Sequence, residues 1–241
     1  GAAKNKEKVM VFGDYDVDGI TATALLKQGL HNIGLEALHY MPHRIKEGYG
    51  LTKDILQTAK EKKIRLMITV DCGISNPQEI GQLKAQGIDT IITDHHEPAA
   101  GPLPSALSII NPKVKDSGYP YRDLAGVGVA YKLCQALSGS QLLEMLDLVT
   151  LGTVADVVPL TGENRVIVKE GLIRLSQTKR VGLRALITGA RIKNKKFNST
   201  TVSFILGPRL NASGRMASAQ VSLDLLMSTD LLRAQELASE L

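Results

Sequence analysis

The chain has 241 residues, 44% of them hydrophobic, so it is long enough to bury a substantial core as one large domain or two modest ones. Its 29 basic and 24 acidic residues give a net charge of +5, a mild bias toward polyanionic partners such as nucleic acid. Two distant cysteines argue against a disulfide framework, and the absence of any run near ~18 apolar residues or of a signal-peptide core predicts a cytoplasmic protein outside the membrane.

Short runs rich in β-branched and other apolar residues predict five β-strands: KVMVFGD, LEALHYMP, IRLMITVD, IDTIITD and LSIINP. Most are separated by stretches with helical spacing, such as TKDILQTAKEKK and PQEIGQLKAQG. Alternating strands and helices predict a parallel sheet that helices cover on both sides. The predicted fold class is therefore α/β.

Three of the predicted strands end on an aspartate, at Asp14, Asp71 and Asp94. Each aspartate follows a buried parallel strand, at the edge where ligands bind in open α/β sheets. Because right-handed crossovers keep successive strands pointing the same way, we expect the three carboxylates to meet at one crevice.

From about Leu124 the pattern becomes mainly helical. We predict a parallel-sheet α/β part over residues 1–123, followed by a mainly helical C-terminal remainder over residues 124–241. Residues 203–241 are predicted to be of mixed type, with turns in GPRLNASGRM because of its Gly, Pro, Asn and Ser content.

The motif GDYDVDG places Asp14, Asp16 and Asp18 close together. Carboxylates at this spacing repel one another in a water-poor setting, so they are either loosely solvated or held together by cations. An EF-hand calcium loop needs a glutamate at its twelfth position, which is Leu25 here, and a strand precedes the motif. A dinucleotide fold is disfavoured because the turn carries aspartates where a pyrophosphate requires glycines.

Two further motifs supply candidate metal ligands. In ITDHHEP, His95 and His96 follow a strand-terminal aspartate, and adjacent histidines beside acids favour metal binding over a structural hydrogen bond. In LVTLGTVADVVPL, Asp156 interrupts an apolar run, so it either has a cation partner or caps the turn before Pro159. Imidazole mixed with several carboxylates suits manganese better than zinc.

The candidate ligands exceed what one ion needs. Two divalent ions about 3.5–4 Å apart would share them, an arrangement that activates water and clamps both oxygens in phosphoryl displacement. The predicted metal ligands are Asp14, Asp16, Asp18, Asp71, His95 and Asp156.

Five motifs resemble, in their order and separations, those of the DHH phosphoesterases: GDYDVDGITAT, VDCGIS, TDHHEP, GTVADVVPL and GPRLNASGRM. Within that family they are most similar to the RecJ-type single-strand DNA exonucleases. MPHRIKEGYGL and NPKVKDSGYPYRDLAGVGVAYKL extend the resemblance over essentially the whole chain. The family normally continues into a second, DHH-associated domain whose glycine–histidine motif binds substrate, and this sequence contains no such motif.

The resemblance implies a 5′ to 3′ exonuclease on single-stranded DNA that depends on Mn²⁺ or Mg²⁺, releases mononucleotides and serves DNA repair and recombination. It implies that the metal ligands are Asp16, Asp18, Asp71, His95 and Asp156. Asp14 would either bind the metal as well or lie just behind these ligands. His96 would contact the scissile phosphate or assist proton transfer. The candidate catalytic residues are His96, Arg209 and Asp14. The partners would be single-stranded DNA and, in the cell, a helicase and a single-strand-binding protein.

Two segments are predicted to hold the strand. GPRLNASGRM offers guanidinium groups that match phosphate oxygens and stabilise developing charge, although Arg209 could instead pair with the site carboxylates. PHRIKEGYGL offers contacts to backbone phosphates or to a stacked base. The predicted substrate-binding residues are His43, Arg44, Tyr49, Arg209, Asn211 and Arg215.

Two alternatives stay open at the level of sequence. A DHH phosphoesterase of short oligonucleotides or cyclic dinucleotides would use the same metal ligands with a smaller substrate. A non-catalytic relative that acts as a replication scaffold would have lost metal-dependent hydrolysis.

Overall fold

Five parallel strands form the centre of the fold in a computed structural model that describes residues 2–43, 47–192, 197–216 and 219–241, with only the backbone described at 213–216. The order in the sheet is β2-β1-β3-β4-β5, and each neighbouring pair is parallel. This arrangement confirms the predicted α/β class. The strands are β1 (Val9–Gly13), β2 (Ala37–Tyr40), β3 (Leu66–Val70), β4 (Asp89–Thr93) and β5 (Ser108–Ile110).

Helices cover both faces of the sheet and make up most of the chain after residue 125. They are α1 (Ala2–Asn5), α2 (Val17–Asn32), α3 (Lys53–Glu61), α4 (Pro77–Ala85), α5 (Gly126–Ser138), α6 (Leu146–Ala155), α7 (Gly162–Ser176), α8 (Val181–Gly189), α9 (Ser199–Thr201), α10 (Gly207–Met216), α11 (Ala219–Met227) and α12 (Leu231–Glu240). A 3₁₀ turn covers Leu143–Met145, and a π-helical turn covers Val202–Leu206. Within the described residues, no helix is sufficiently long and apolar to cross a membrane.

The central strand β1 is buried on both faces because its side chains alternate between two hydrophobic clusters. Val9 and Val11 pack with α2, α5 and α6 on one face. Met10 and Phe12 pack with α3 and α4 on the other face. Burial on both sides explains why the strands are continuous apolar runs rather than alternating ones.

The order of the strands reverses between β1 and β3, since the chain passes from β1 outward to β2 and then returns to the other side of β1. Open α/β sheets bind ligands outside the carboxyl ends of the strands at such a switch point. Gly13 is paired in register with Val70, and Val70 with Thr93. The residues that follow these three strands are therefore immediate neighbours.

The prediction of mixed structure over residues 203–241 is wrong, because the described part of this segment is helical. GPRLNASGRM was expected to form turns, yet it forms α10. Pro208 directly follows Gly207 and the π-helical turn Val202–Leu206, so it lies within a continuous helical stretch from Ser199 to Met216, beside an irregular turn of the kind at which helices accommodate proline. Leu206 and Leu210, four residues apart, are fully buried and outweigh the low helix propensity of their neighbours.

Close packing of α6 on α7 depends on Gly171. A Cβ atom at this position would lie 1.7 Å from Thr150 Oγ1 and 2.6 Å from the Leu146 carbonyl oxygen. We predict that Gly171→Ala lowers the free energy of unfolding by about 1–3 kcal/mol through overpacking, as measured by urea denaturation.

The matched control is Gly81→Ala in α4, where an added Cβ meets nothing within 4 Å. This variant should be neutral or gain up to about 1 kcal/mol, because alanine restricts the unfolded chain. Equal unfolding free energies for the two variants would contradict the packing described for α6 and α7.

Candidate metal centre

The carboxyl ends of β1, β3 and β4 bring Asp14, Asp71 and Asp94 together as neighbouring, buried side chains. Asp14 Oδ1 accepts a hydrogen bond from the Tyr15 backbone N–H at 2.8 Å. Asp71 has a φ of +61°, in the left-handed region that non-glycine residues seldom adopt and that aspartate tolerates better than most. Unusual backbone of this kind is often found at functional sites.

The start of α2 adds two more carboxylates. Asp16 is the N-cap of the helix, and its Oδ1 accepts from the Gly19 N–H at 3.0 Å. Asp18 is buried and accepts from two amides at the start of α5, those of Gly126 at 2.6 Å and Val127 at 2.8 Å. Asp18 thus serves as an external cap for α5, which has no side-chain cap of its own, and the helix dipole stabilises its charge.

His95 lies at the centre of the cluster. Its Nε2 is 3.2 Å from Asp71 Oδ1, 3.6 Å from Asp156 Oδ2 and 3.9 Å from Asp18 Oδ2. Both Nε2 of His95 and Oδ1 of Asp71 are buried, and neither makes a hydrogen bond of acceptable geometry within the described residues. Buried polar atoms are nearly always satisfied, so this convergence of unsatisfied acceptor atoms is the arrangement expected around a cation.

Asp156 approaches the cluster from α6, where it is the C-cap residue. The helix C-terminus carries partial negative charge, which makes this an unfavourable place for a carboxylate without a cation. The next residue, Val157, has a φ of +63° and is 82% exposed. A β-branched residue in this backbone region is strained, which indicates that the turn after Asp156 is held for a purpose other than stability.

Burial, and then the charge of a neighbouring carboxylate, Asp16 or Asp18, together raise the pKa of Asp14, Asp18 and Asp156 to about 7 in each case. The pKa of Asp71 lies well above its ordinary value for the same two reasons, burial and then Asp18. Burial lowers the pKa of His95, which favours the neutral imidazole that binds metals. Without a cation, the cluster therefore holds protons that a divalent ion would displace.

The donor set fits a divalent cation. Three groups of side chains each offer ligand atoms within 4.8 Å of one another. Asp71 belongs to two of these groups and His95 to two, which links all three, so two adjacent ions are geometrically reasonable. A set of mostly oxygen ligands with imidazole suits Mn²⁺ or Mg²⁺. The groups are Asp14–Asp16–Asp71, Asp18–His95–Asp156 and Asp71–His95–His96.

Asp94 organises the histidine pair, a role that the sequence did not assign to it. Its Oδ1 accepts from the backbone N–H groups of His95 at 2.7 Å and His96 at 3.1 Å, and it lies 2.8 Å from His96 Nδ1. Its Oδ2 accepts from the Ile74 N–H at 3.0 Å. Burial alone would raise the pKa of Asp94, but these hydrogen bonds, that of His96 first, lower it. The signal was available, since Asp94 ends a strand directly before the two histidines.

Two glycines that the sequence analysis did not single out set the close approach of the helices to the cluster. A Cβ at Gly126 would lie 2.6 Å from Asp71 Oδ1. A Cβ at Gly152 would lie 2.7 Å from Asp18 Oδ1 and 2.4 Å from Thr21 Oγ1. Any larger residue at these positions would displace a carboxylate of the cluster.

Only some of the predicted substrate-binding residues lie close to the predicted metal ligands. Tyr49 joins the site, because its hydroxyl is 3.3 Å from His96 Nδ1 and the two rings meet edge to face. His43 is held near Glu47 by backbone hydrogen bonds, and its Nδ1 is buried without a hydrogen-bond partner among the described residues. Arg44 lies outside the described residues, and the side chain of Arg215 is not described.

Asn211 and Arg209 were expected to face one site, but they line two different depressions. Asn211 lines a small depression with Ala155, beside Asp156. Arg209 lines a different depression, formed with α8 and α12, that includes no residue of the carboxylate cluster. The reason is the helix itself: residues two apart on α10 point about 200° apart at roughly 100° per residue, whereas the expected turn would have allowed both to face one site.

A comparison with protein families matches residues 8–153 to the DHH family, N-terminal domain. The chain belongs to the DHH family. This confirms the resemblance expected from the ordered motifs. The matched part of the DHH chain includes every residue of the cluster except Asp156.

Curated relatives of this DHH chain are single-stranded-DNA-specific exonucleases named RecJ. The protein from Bacillus subtilis is 46% identical over the whole of this chain, which spans 30% of that relative's length. The protein from Thermus thermophilus is 38% identical over the whole chain, which spans 35% of its length. The chain therefore corresponds to less than half of each of these proteins.

Solved structures agree with this assignment. An exonuclease RecJ bound to manganese superposes with a TM-score of 0.90 at 38% identity, covering 99% of this chain and 61% of that one. RecJ from Thermus thermophilus in complex with Mn²⁺ gives a TM-score of 0.85 at 35% identity, covering 99% of this chain and 35% of that one.

The raised carboxyl pKa values predict how the metal-free protein responds to pH. Between the ordinary aspartate value near 4 and about 7, the folded cluster binds more protons than the unfolded chain, so stability falls as pH rises through this range. We predict that the melting temperature in EDTA falls from pH 5 to pH 8, and that Mn²⁺ restores it at pH 8.

The control for this prediction is Asp71→Asn, which removes one buried charge. In EDTA at pH 8 it should melt at a higher temperature than the unchanged chain, with a shallower pH dependence and less stabilisation by Mn²⁺. A metal-free melting temperature that rises from pH 5 to pH 8 would contradict the assigned electrostatics.

Proposed function

We propose that this chain is the metal-dependent catalytic region of a phosphodiesterase that degrades single-stranded DNA from the 5′ end and releases mononucleotides, in DNA repair and recombination. The observation that carries the proposal is the convergence of Asp71 Oδ1 and His95 Nε2 among buried carboxylates at the switch point of the sheet, where neither atom has a hydrogen bond from any described residue. The names of the RecJ relatives support the choice of single-stranded DNA over other phosphodiesters.

We infer that Mn²⁺ or Mg²⁺ is held by the predicted ligands, with Asp14 and Asp16 on one side of Asp71 and with Asp18, His95 and Asp156 on the other. When bound, the ions would polarise the phosphodiester and lower the pKa of water. Two related RecJ structures that contain bound manganese support this assignment.

His96 is the proposed group for contact with the scissile phosphate. Its hydrogen bond to Asp94 raises its pKa, which favours the imidazolium form. Because Nδ1 is engaged by Asp94, Nε2 is the nitrogen available to donate to a phosphate oxygen or to the leaving oxygen. Tyr49 lies beside it, 46% exposed, and is the proposed contact for the terminal nucleotide.

The direct test uses single-stranded DNA labelled at either the 5′ or the 3′ end, incubated with and without Mn²⁺. The 5′-labelled strand should release labelled mononucleotide at once, while the 3′-labelled strand shortens progressively. Products confined to dinucleotide substrates would instead favour a small-substrate phosphoesterase. An inert chain that nevertheless binds Mn²⁺ would favour a scaffold. A helicase and a single-strand-binding protein are the proposed cellular partners.

We predict that His96→Ala lowers kcat by about 10²–10⁴-fold, because it removes a proton donor or phosphate contact. Mn²⁺ binding by calorimetry should persist, since the five aspartates and His95 remain. His31→Ala, at an exposed position at the end of α2, is the matched control and should keep full activity. Loss of Mn²⁺ binding in His96→Ala would reassign this histidine as an essential metal ligand.

A further inference from the structure

A second cavity, of about 430 Å³, lies at the C-terminal half of α2, whereas the metal centre lies at its N-terminal end. The cavity lining on α2 begins at Ala24, six residues after Asp18, so at ~1.5 Å per residue it starts about 9 Å along the helix from that ligand and extends away from the metal centre. The cavity wall comes from α2, the start of β2, the residues leading into α8, and the end of α11. Its volume is within the range of about 300–1,000 Å³ typical of sites for small molecules.

The loop that enters α8 is fixed by a buried ion pair. Thr178 Oγ1 donates to Asp147 Oδ2 at 2.7 Å, and Arg180 Nε donates to Asp147 Oδ1 at 3.0 Å. Asp147 is only 3% exposed, and burying such a pair carries a considerable desolvation penalty. The result is a rigid loop that presents Lys179 and the first residue of α8, Val181, to the cavity. Arg180, the N-cap residue of α8, makes no side-chain capping hydrogen bond within the described part of the chain.

Two buried polar atoms in this region have no hydrogen-bond partner among the described residues, Oε1 of Gln28 and Nε of Arg174. Gln28 lines the cavity and also a neighbouring depression of about 490 Å³, which Arg174 lines as well. An unsatisfied buried acceptor or donor is destabilising. Each atom belongs to a residue that lines a space beside the same loop, and Gln28, with its unsatisfied oxygen, lines the cavity itself.

The charges favour an anion. Among the acids that line the two spaces, Asp147 is paired with Arg180, whereas Glu36 lies beside His31, which is neutral at pH 7. The remaining lining charges are those of Lys27, Lys179 and Arg174 against those of Glu36 and Glu144. Lys179 is exposed and has no ion-pair partner within the described residues. The surplus is therefore positive, next to the N-terminus of α8, which also attracts anions.

We propose that this cavity is a second binding site for a phosphate-bearing ligand of nucleotide size. The phosphate is held by Lys179, Lys27 and the first turn of α8. The side-chain amide of Gln28 forms a hydrogen bond with another polar group of the ligand. The apolar part of the wall, from Ala24, Leu226 and Met227, packs against a base or sugar. The phosphate belongs either to a free nucleotide or to a nucleic acid strand. The proposal is independent of the exonuclease function.

The test is calorimetric titration of the full chain in EDTA with three probes: dAMP, inorganic phosphate and a short 5′-phosphorylated oligonucleotide. We expect saturable binding at one site, weakened at least tenfold by Lys179→Glu and by Gln28→Leu. Lys62→Glu, an exposed lysine at the end of α3, is the matched control and should bind as the unchanged chain does. Gln28→Leu should unfold at the same or higher denaturant concentration, because it removes an unsatisfied acceptor.

The probes distinguish the sources of the phosphate. Binding of dAMP supports a free nucleotide, and binding of the oligonucleotide alone supports a strand that reaches this face. If inorganic phosphate and dAMP bind equally well, the phosphate group alone accounts for binding, which supports the proposed phosphate contacts. The proposal is overturned if no probe binds saturably, or if Lys179→Glu and Lys62→Glu bind equally well.

Discussion

Mutual repulsion among buried carboxylates is the constraint on which the rest of this structure depends. Asp14, Asp18 and Asp71 are almost inaccessible to solvent, and each raises the cost of ionising its neighbours. Such a cluster lowers the stability of the protein at neutral pH unless protons or cations neutralise it. Its presence at the switch point of the sheet is therefore a functional feature that the remaining core has to offset.

The fold holds these groups by means that do not neutralise them. The amides at the start of α5 fix Asp18, the hydrogen bonds of Asp94 fix the backbone of both histidines, and glycines allow α5 and α6 to approach closely. The left-handed backbone is strained at one proposed ligand, Asp71, and at Val157, which directly follows another, Asp156. These contacts place the side chains before a cation binds, which limits the reorganisation that binding requires.

Strand-final aspartates and paired histidines were predictable, because the carboxyl ends of parallel strands share one edge and the five strands are continuous apolar runs. The residues that support these ligands were not predictable. Asp94 has a supporting role that depends on hydrogen-bond geometry, and the glycine contacts depend on how helices pack. GPRLNASGRM shows the opposite failure: turn-forming residues indicated a loop, but burial of Leu206 and Leu210 produced a helix, which separated Arg209 from Asn211.

The central claim is that the cluster of aspartates around His95 binds paired divalent cations. Anomalous diffraction from crystals of this chain soaked in Mn²⁺, recorded on both sides of the manganese absorption edge, tests it most directly. The account predicts two anomalous peaks, both within coordination distance of Asp71, with His95 bound to one of them. Data of adequate quality with no anomalous peak at Asp71, or with manganese bound only elsewhere on the protein, would contradict it.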